Sequence, residues 1–122
     1  MNDEIVRVVH LYTEAFGTGD VAMLQEAFHE DAWIFFTDQA GTLFTYLISD
    51  CFEEWATPSR AHIEGRIISV SQAGDVANVV LGIDDLHNPS NCWVDLHNLI
   101  RVDGVWEITN KTATHTNRAG RV

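Results

Sequence analysis

A carboxylic acid and an imidazole lie two positions apart near the end of this chain, at Asp95 and His97. Side chains two apart on a strand point to the same face of a sheet, so both groups would meet one environment. A carboxylate or an imidazole placed beside a carbonyl compound can accept and return a proton, which is general acid–base chemistry. The alternative is a hydrogen-bonded structural pair, or a sheet face at a dimer interface.

The segment that carries this pair has the pattern of a β-hairpin. Asp103-Gly104 is a two-residue turn signal between two strand-like runs. Regular pairing from Val102 and Val105 sets Asn110 opposite His97. It predicts one face with ten members: Trp93, Asp95, His97, Leu99, Arg101, Trp106, Ile108, Asn110, Thr112 and Thr114. The opposite face would carry Glu107, Thr109 and Lys111, which we expect to be exposed or interfacial.

The rest of the chain supplies elements that could cover such a face. Helical spacing of apolar residues predicts helices over residues 3–16, 20–28 and 43–56. Strand-like composition predicts strands over residues 33–37, 60–72, 75–86, 92–102 and 105–116. Helices followed by a run of antiparallel strands indicate an α+β fold. A chain of 122 residues is expected to form a single domain, 1–122, with a frayed tail at 117–122.

A second set of polar residues lies on the first long strand, at His62, Glu64 and Arg66. A turn at Ala73-Gly74 would pair Arg66 with Leu81, which places Arg66, and with it Glu64 and His62, on the inner face. A buried guanidinium there could orient a carbonyl or a carboxylate. An ion pair between Glu64 and Arg66, or an outward strand end, is the alternative.

Other side chains could complete a ligand pocket. Tyr12 lies on the first predicted helix, as a core residue or as a hydrogen-bond donor to a ligand. Asn110 would position His97 or a ligand. Ligand pockets are mostly apolar with a few directed polar groups, and four aromatic residues are candidates for the lining: Trp33, Phe36, Trp55 and Trp93.

Composition excludes several classes of function. The formal net charge of −11 disfavours nucleic acid and anionic membrane surfaces as partners. There is no apolar run long enough to span a bilayer and no apolar signal core at the N-terminus, so we expect a cytoplasmic protein. The two cysteines have no CxxC spacing, and HExxH is absent, so neither a metal site nor a cofactor is expected.

Several short motifs, in this order, resemble the NTF2-like superfamily (SnoaL-like and ketosteroid-isomerase-like proteins). They are Tyr12 with Phe16 and Gly19-Asp20, then residues 27–32, 74–77 and 102–111 with His115. The last segment is similar to the branch of putative lumazine-binding proteins. The resemblance implies a cone-shaped barrel with three N-terminal helices packed on a curved, mostly antiparallel sheet. It also implies a pocket between the sheet and the helices.

The resemblance extends unevenly to individual residues. Ketosteroid isomerases carry on the first helix a tyrosine that donates to an oxyanion, and Tyr12 matches its position before the Gly-Asp turn. Their base, an aspartate just after the first strand, has Phe36 as its nearest match, and Asp38 lies two positions later. Their second aspartate falls near His97, where no residue matches clearly. A true steroid isomerase is therefore not expected.

The leading hypothesis is a cofactor-independent enzyme acting on a small hydrophobic carbonyl or hydroxyl compound by proton transfer, as an isomerase, dehydratase or cyclase (isomerase or lyase chemistry). Asp95 or His97 would be the base, and Tyr12 with Asn110 or Arg66 would stabilise the enolate. One alternative is a non-catalytic module that binds a small aromatic molecule, as in the lumazine-binding proteins. Another is a structural dimer with a filled cavity. A homodimer is expected through the outer sheet face, which carries Val94, Leu96, Ile100 and Val102.

Overall fold

The structure is a computed structural model that describes residues 3–60 and 62–116. The tail predicted at 117–122 lies outside the described residues. The helices are α1 (Asp3–Thr18), α2 (Val21–Ala27) and α3 (Ile48–Trp55), with a 3-10 turn at Pro58–Arg60. The strands are β1 (Phe28–Thr37), β2 (Leu43–Leu47), β3 (Ile63–Ala73), β4 (Val76–Asp85), β5 (Cys92–Val102) and β6 (Val105–Thr116).

The helical hairpin forms for the reasons visible in the sequence. Residues Ile5, Val8 and Tyr12 lie at helical spacing on α1 and are buried. Gly19 takes a positive φ of 79° between the helices, a conformation that glycine adopts without steric cost. The Asp20 carboxylate accepts the Met23 N–H at 3.2 Å and so caps α2.

The helix predicted over residues 43–56 is wrong in its first part. Residues 43–47 form β2, which pairs antiparallel with β1, and the helix begins only at Ile48. The sequence Leu-Phe-Thr-Tyr-Leu is apolar at both the helical and the strand period, and its β-branched and aromatic side chains favour the strand once β1 is beside it. The strand predicted at 33–37 is also longer and begins at Phe28.

The six strands form one mixed sheet in the order β2-β1-β6-β5-β4-β3. The β1–β6 pair is parallel and the other four pairs are antiparallel. The α+β class is therefore confirmed, with an open sheet whose end strands do not pair. The third helix was predicted after one strand and follows two, β1 and β2.

One face of the sheet packs against the helices and forms the core. Val79, Leu81, Leu99, Trp106 and Ile108 lie on this inner face, each at most 4% exposed. Both cysteines are free and buried. Within the described part of the chain, no helix has the length and hydropathy to cross a membrane.

Candidate functional site

A cavity of about 390 Å³ lies between the inner face of the sheet and the helices. Its wall is mainly apolar and includes Phe16, Ile34, Phe36, Trp55 and Trp93. The polar groups that reach it are those of Tyr12, Arg60, His62, Asn91, Asp95 and Lys111. A mostly aromatic wall with a few polar groups is the usual composition of a small-molecule site, and its volume lies in the range of such sites.

The hairpin register that builds this site differs from the predicted one at a single residue. The pairs nearest the turn are as predicted, up to Leu99 with Ile108. The next pair is Asn98 with Asn110, so Thr109 is an extra residue in β6, which is a β-bulge. Beyond it, every side chain of β6 lies on the face opposite to the one predicted.

The bulge exchanges Asn110 for Lys111 at the site. Lys111 pairs with His97 and points inward, with 7% of its surface exposed. Asn110 lies on the outer face and accepts a hydrogen bond from Asn98 Nδ2 at 3.2 Å. The predictions that Asn110 lies on the inner face and Lys111 on the outer face are therefore wrong. Thr112 and Thr114 were also predicted on the inner face and also lie on the outer face.

Tyr12, Asp95 and Lys111 meet at the floor of the cavity. Lys111 Nζ donates a hydrogen bond to Tyr12 Oη at 2.9 Å, and Tyr12 Oη donates to Asp95 Oδ2 at 3.5 Å. Lys111 Nζ lies 3.7 Å from Asp95 Oδ2, which is an ion-pair distance. The partner of Asp95 in β6 is Ala113, whose small side chain leaves room for the diagonal reach of Lys111.

Aromatic rings surround the Lys111 ammonium group. Nζ lies 5.0 Å from the ring centre of Trp55, 5.1 Å from that of Tyr12 and 5.9 Å from that of Phe16. Ring faces attract cations at these distances. Burial alone would lower the pKa of Lys111, but Asp95 and Tyr12 hold it above its ordinary value. The lysine is therefore charged at neutral pH and is not a candidate amine nucleophile.

The other two floor groups have defined charge states. Burial alone would raise the pKa of Asp95, but the Lys111 ammonium group holds it below its ordinary value, so the carboxylate is ionised. Burial raises the pKa of Tyr12 to about 12, despite the opposing effect of Lys111. The tyrosine is therefore a neutral hydrogen-bond donor.

His97 lies behind this floor and does not line the cavity. Its ring is fully buried, 5.1 Å from the Tyr12 ring centre to centre. Nε2 lies 3.4 Å from Asp95 Oδ2, but the geometry is not that of a hydrogen bond, and neither ring nitrogen bonds to any described protein group. Burial lowers the pKa of His97 despite the nearby carboxylate, so the ring is neutral. His97 can act on a ligand only through Asp95 or Tyr12.

Arg60, His62 and Asn91 form the polar part of the rim. Arg60 Nη2 lies 3.4 Å from Glu54 Oε1, and His62 Nε2 lies 3.6 Å from Asp85 Oδ2. Asn91 Oδ1 accepts the indole N–H of Trp93 at 3.1 Å, which fixes that ring in the wall. His62 was predicted to face the interior and does reach the cavity.

Arg66 and Glu64 do not reach the cavity, contrary to the prediction. A bulge at Ile68 in β3 sets Arg66 opposite Gly82 and Glu64 opposite Asp84, on the outer face. Arg66 Nε donates to Asp84 Oδ2 at 2.9 Å. The guanidinium lies over Gly82, where a Cβ would come within 2.9 Å of its Cζ. Arg66 is therefore part of an outer-face ion pair.

The aromatic candidates divide between the two faces of the sheet. Phe36, Trp55 and Trp93 line the cavity. Trp33 pairs with Asn110 on the outer face and is 45% exposed, so its predicted place in the lining is wrong. Asp38 lies in the β1–β2 turn, where its carboxylate accepts the N–H groups of Ala40 and Thr42 at 2.9 and 3.0 Å. Asp38 therefore stabilises the turn.

The arrangement can bind an acceptor atom of a ligand. The Lys111 ammonium group has three N–H donors. One of them binds Tyr12 Oη, and Asp95 Oδ2 lies beyond hydrogen-bond distance. Donor capacity therefore remains at the floor of an apolar cavity, where a hydrogen bond is stronger than in water. Among residues 3–60 and 62–116, no three His, Cys, Asp or Glu side chains group closely enough to hold a metal ion.

Comparison with known proteins identifies the family. The family model described as "Putative lumazine-binding" matches residues 1–113. The chain belongs to the putative lumazine-binding family. This places it in the NTF2-like superfamily, as the sequence motifs predicted. No curated protein matches this chain.

Solved structures similar to this lumazine-binding family member share its whole fold. An NTF2-like protein of unknown function from Shewanella baltica is 25% identical, with a TM-score of 0.81 over 93% of this chain and 92% of that one. Another from Methylobacillus flagellatus is 28% identical, with a TM-score of 0.79 over 93% and 90%. A ketosteroid isomerase-like protein from Erwinia carotovora is 13% identical, with a TM-score of 0.65 over 93% and 94%, and shows the fold alone.

Proposed function

We propose that this protein binds a small, planar aromatic compound through one hydrogen-bond acceptor held by Lys111. The observation that carries the proposal is a charged lysine, 7% exposed, with spare donors at the floor of an aromatic cavity. Trp55, Trp93, Phe16 and Phe36 supply flat apolar surface for a ring system. The family description adds a ligand class, since lumazine is a fused heteroaromatic ring with carbonyl acceptors.

The electrostatics of the floor favour binding over proton abstraction. A general base works best with a pKa near the working pH, whereas the Lys111 ammonium group holds the pKa of Asp95 below its ordinary value. His97, the other predicted base, is shielded from the cavity by its neighbours. Asn110 and Arg66, predicted to stabilise an enolate, lie on the outer face. The open cavity is also at odds with a structural dimer whose cavity is filled.

Calorimetric titration with lumazine tests the proposal. The protein should bind it saturably at one site. Ala113 lines the cavity, so Ala113→Leu should narrow it and weaken binding at least about tenfold. Thr112→Leu places the same side chain at the adjacent, exposed position on the outer face and is the control. Equal affinities for the two variants would place the ligand elsewhere.

A cofactor-independent enzyme is the second candidate. It is favoured by one observation, namely that two donors, Tyr12 and Lys111, converge beside an ionised carboxylate. Such a pair could stabilise an enolate while Asp95 removes the proton next to the carbonyl. Incubation of 1-tetralone in deuterated water tests this by NMR. Exchange of the protons next to the carbonyl faster than in buffer, and its loss in Asp95→Asn, would favour the enzyme; no acceleration would leave binding alone.

We further propose a homodimer through the outer face of the sheet. This face presents Trp33, Val76, Leu96 and Val102, each between 42% and 56% exposed. Exposed apolar side chains gathered on one face are typical of an interface. Leu96→Glu should shift the sedimentation coefficient to that of a monomer. Leu86→Glu adds the same charge at an exposed leucine in the β4–β5 loop and should leave the dimer intact.

A further inference from the structure

The cationic groups of the cavity share one property: each already faces a carboxylate. Lys111 Nζ lies 3.7 Å from Asp95 Oδ2 at the floor. At the rim, Arg60 Nη2 lies 3.4 Å from Glu54 Oε1. His62, which is cationic only when protonated, has its Nε2 3.6 Å from Asp85 Oδ2. Within the described chain, the cavity therefore offers no cation that lacks a counter-charge.

A ligand carboxylate would lose its water shell in this cavity and gain little in return. Removing an ionised group from water costs several kcal/mol unless a cation compensates it. The field of Lys111 is already offset by Asp95, and the two side chains are 9% and 3% exposed. A second anion at Lys111 would also be repelled by Asp95 across a short, weakly screened distance. A neutral carbonyl takes the same donor without this cost.

We infer that the cavity selects a neutral aromatic carbonyl compound over the corresponding carboxylate, with the Lys111–Asp95 pair as the element that discriminates. The inference rests on the proposed binding function and adds the charge of the ligand to it. Lys111 determines which atom of the ligand is held. Asp95 determines that this atom carries no full charge.

Two probes of the same ring and nearly the same shape test this selection. 2-Naphthamide presents a neutral carbonyl, and 2-naphthoate is ionised at neutral pH. Binding is followed by calorimetry, with the emission of Trp55 and Trp93 as a second readout. The wild-type protein should bind the amide at least about tenfold more tightly. Equal affinity, or tighter binding of naphthoate, would overturn the selection while leaving the binding function intact. Absence of binding by both probes would overturn the proposed function and the selection with it.

Variants then assign the selection to the charges. Asp95→Asn should tighten naphthoate binding and reverse the preference, because Lys111 is left without its counter-charge. Asp103→Asn removes the same charge at the distant hairpin turn, where asparagine also accepts the positive φ of 52°, and should keep the wild-type ratio. An unchanged ratio in folded Asp95→Asn would contradict the role given to Asp95.

A surface variant covers the case in which Asp95→Asn does not fold. Glu54 is 76% exposed, and Glu54→Gln should release Arg60 and strengthen naphthoate binding about threefold, without affecting the amide. Glu53→Gln, at the adjacent exposed position of α3, is its control. If naphthoate binding strengthens equally in Glu54→Gln and Glu53→Gln, or in neither, the pairing of Arg60 with Glu54 does not weaken the binding of anions and the inference is overturned.

Discussion

Lys111 and Asp95 lie on neighbouring strands, two pairs apart in register, with Nζ and Oδ2 3.7 Å apart and both side chains nearly excluded from solvent. Their contact depends on Thr109 being left unpaired in β6, since pairing of Thr109 with Asn98 would turn Lys111 away from Asp95. A single bulge in one strand thus places a cation beside an anion inside an aromatic cavity.

Loss of the lysine should destabilise the fold. Lys111→Met leaves the buried Asp95 carboxylate without its cation, and breaking a buried pair in this way costs about 3–5 kcal/mol. The free energy of unfolding in urea measures the loss. The double variant Asp95→Asn with Lys111→Met should recover most of it, because no unpaired charge remains.

A second ion pair provides the control for that experiment. Arg66 and Asp84 are also bonded, at 2.9 Å, but the arginine side chain is 42% exposed. Arg66→Met should therefore cost less than about 1 kcal/mol. If Lys111→Met and Arg66→Met lower the free energy of unfolding equally, burial does not make the Lys111–Asp95 pair more important for stability than an exposed pair.

Deletion of Thr109 should leave Lys111 at the site, because it removes the unpaired residue and not the pairing beyond it. Asn110 would follow Ile108 directly and keep its pairing with Asn98, so Lys111 would still pair with His97 and point inward. The free energy of unfolding should therefore fall by much less than the about 3–5 kcal/mol expected when a buried ion pair is broken. Thr109→Ala keeps the bulge and removes only the hydrogen bond to the Asn98 carbonyl, at a cost of about 1 kcal/mol. A loss of about 3 kcal/mol or more in the deletion variant would show that the unpaired residue itself is needed to hold Lys111 in place.

Stability should fall as the pH is lowered, and His97 should account for the first part of the fall. Burial lowers the pKa of His97 in the folded protein below the ordinary value of 6.5. Below pH 6.5 the unfolded chain therefore binds more protons than the folded chain, so the free energy of unfolding decreases. The lowered pKa of Asp95 adds a further loss only below its ordinary value of 3.8.

Substitution of His97 isolates this effect. His97→Leu removes the titrating ring, so the slope of unfolding free energy between pH 6.5 and about pH 5 should become shallower than in the wild type. His10→Leu makes the same substitution at an exposed histidine of α1 and is the control. A steeper or unchanged slope in His97→Leu would show that other groups cause the acid sensitivity. Urea titrations at the two pH values provide the measurement.

The approach of α1 to β3 depends on a glycine. A Cβ added at Gly65 would lie 2.6 Å from Thr13 Cγ2, closer than two carbon atoms pack. Gly65→Ala should therefore cost about 1–3 kcal/mol of stability. Thr13→Ser removes the offending methyl group and keeps the hydroxyl that donates to the His10 carbonyl at 3.1 Å. Adding it to Gly65→Ala should restore most of the loss in a urea titration, and no restoration would rule out this contact as the cause.

Much of the fold could be predicted because it depends on local signals. The periodicity of α1, the Asp20 cap and the Asp103-Gly104 turn each act over a few residues, and each is present in the structure. Residues 43–47 show the limit of such signals. Their composition suits a helix or a strand, and only the edge of β1, supplied by tertiary structure, favours the strand.

The site was predicted in part, and its errors have one physical origin. Tyr12, Asp95, Phe36, Trp55 and Trp93 reach the cavity because their strands or helices keep the expected register, whereas His62 reaches it from the position before β3. Asn110 and Arg66 do not, and Lys111 was missed, because β6 and β3 each contain one extra residue. No local signal marked either bulge, since a strand with one extra residue has the same composition as a regular one.

The sequence by itself determined the elements, the fold family and the presence of an acid, an imidazole and aromatic side chains along particular strands. Only the tertiary structure decided which of them face each other. The reason is that side chains alternate along a strand with a period of two, so a shift of one residue reverses every later side chain. Packing of the whole sheet against the helices fixes that shift, and with it places Lys111 beside Asp95 in the cavity.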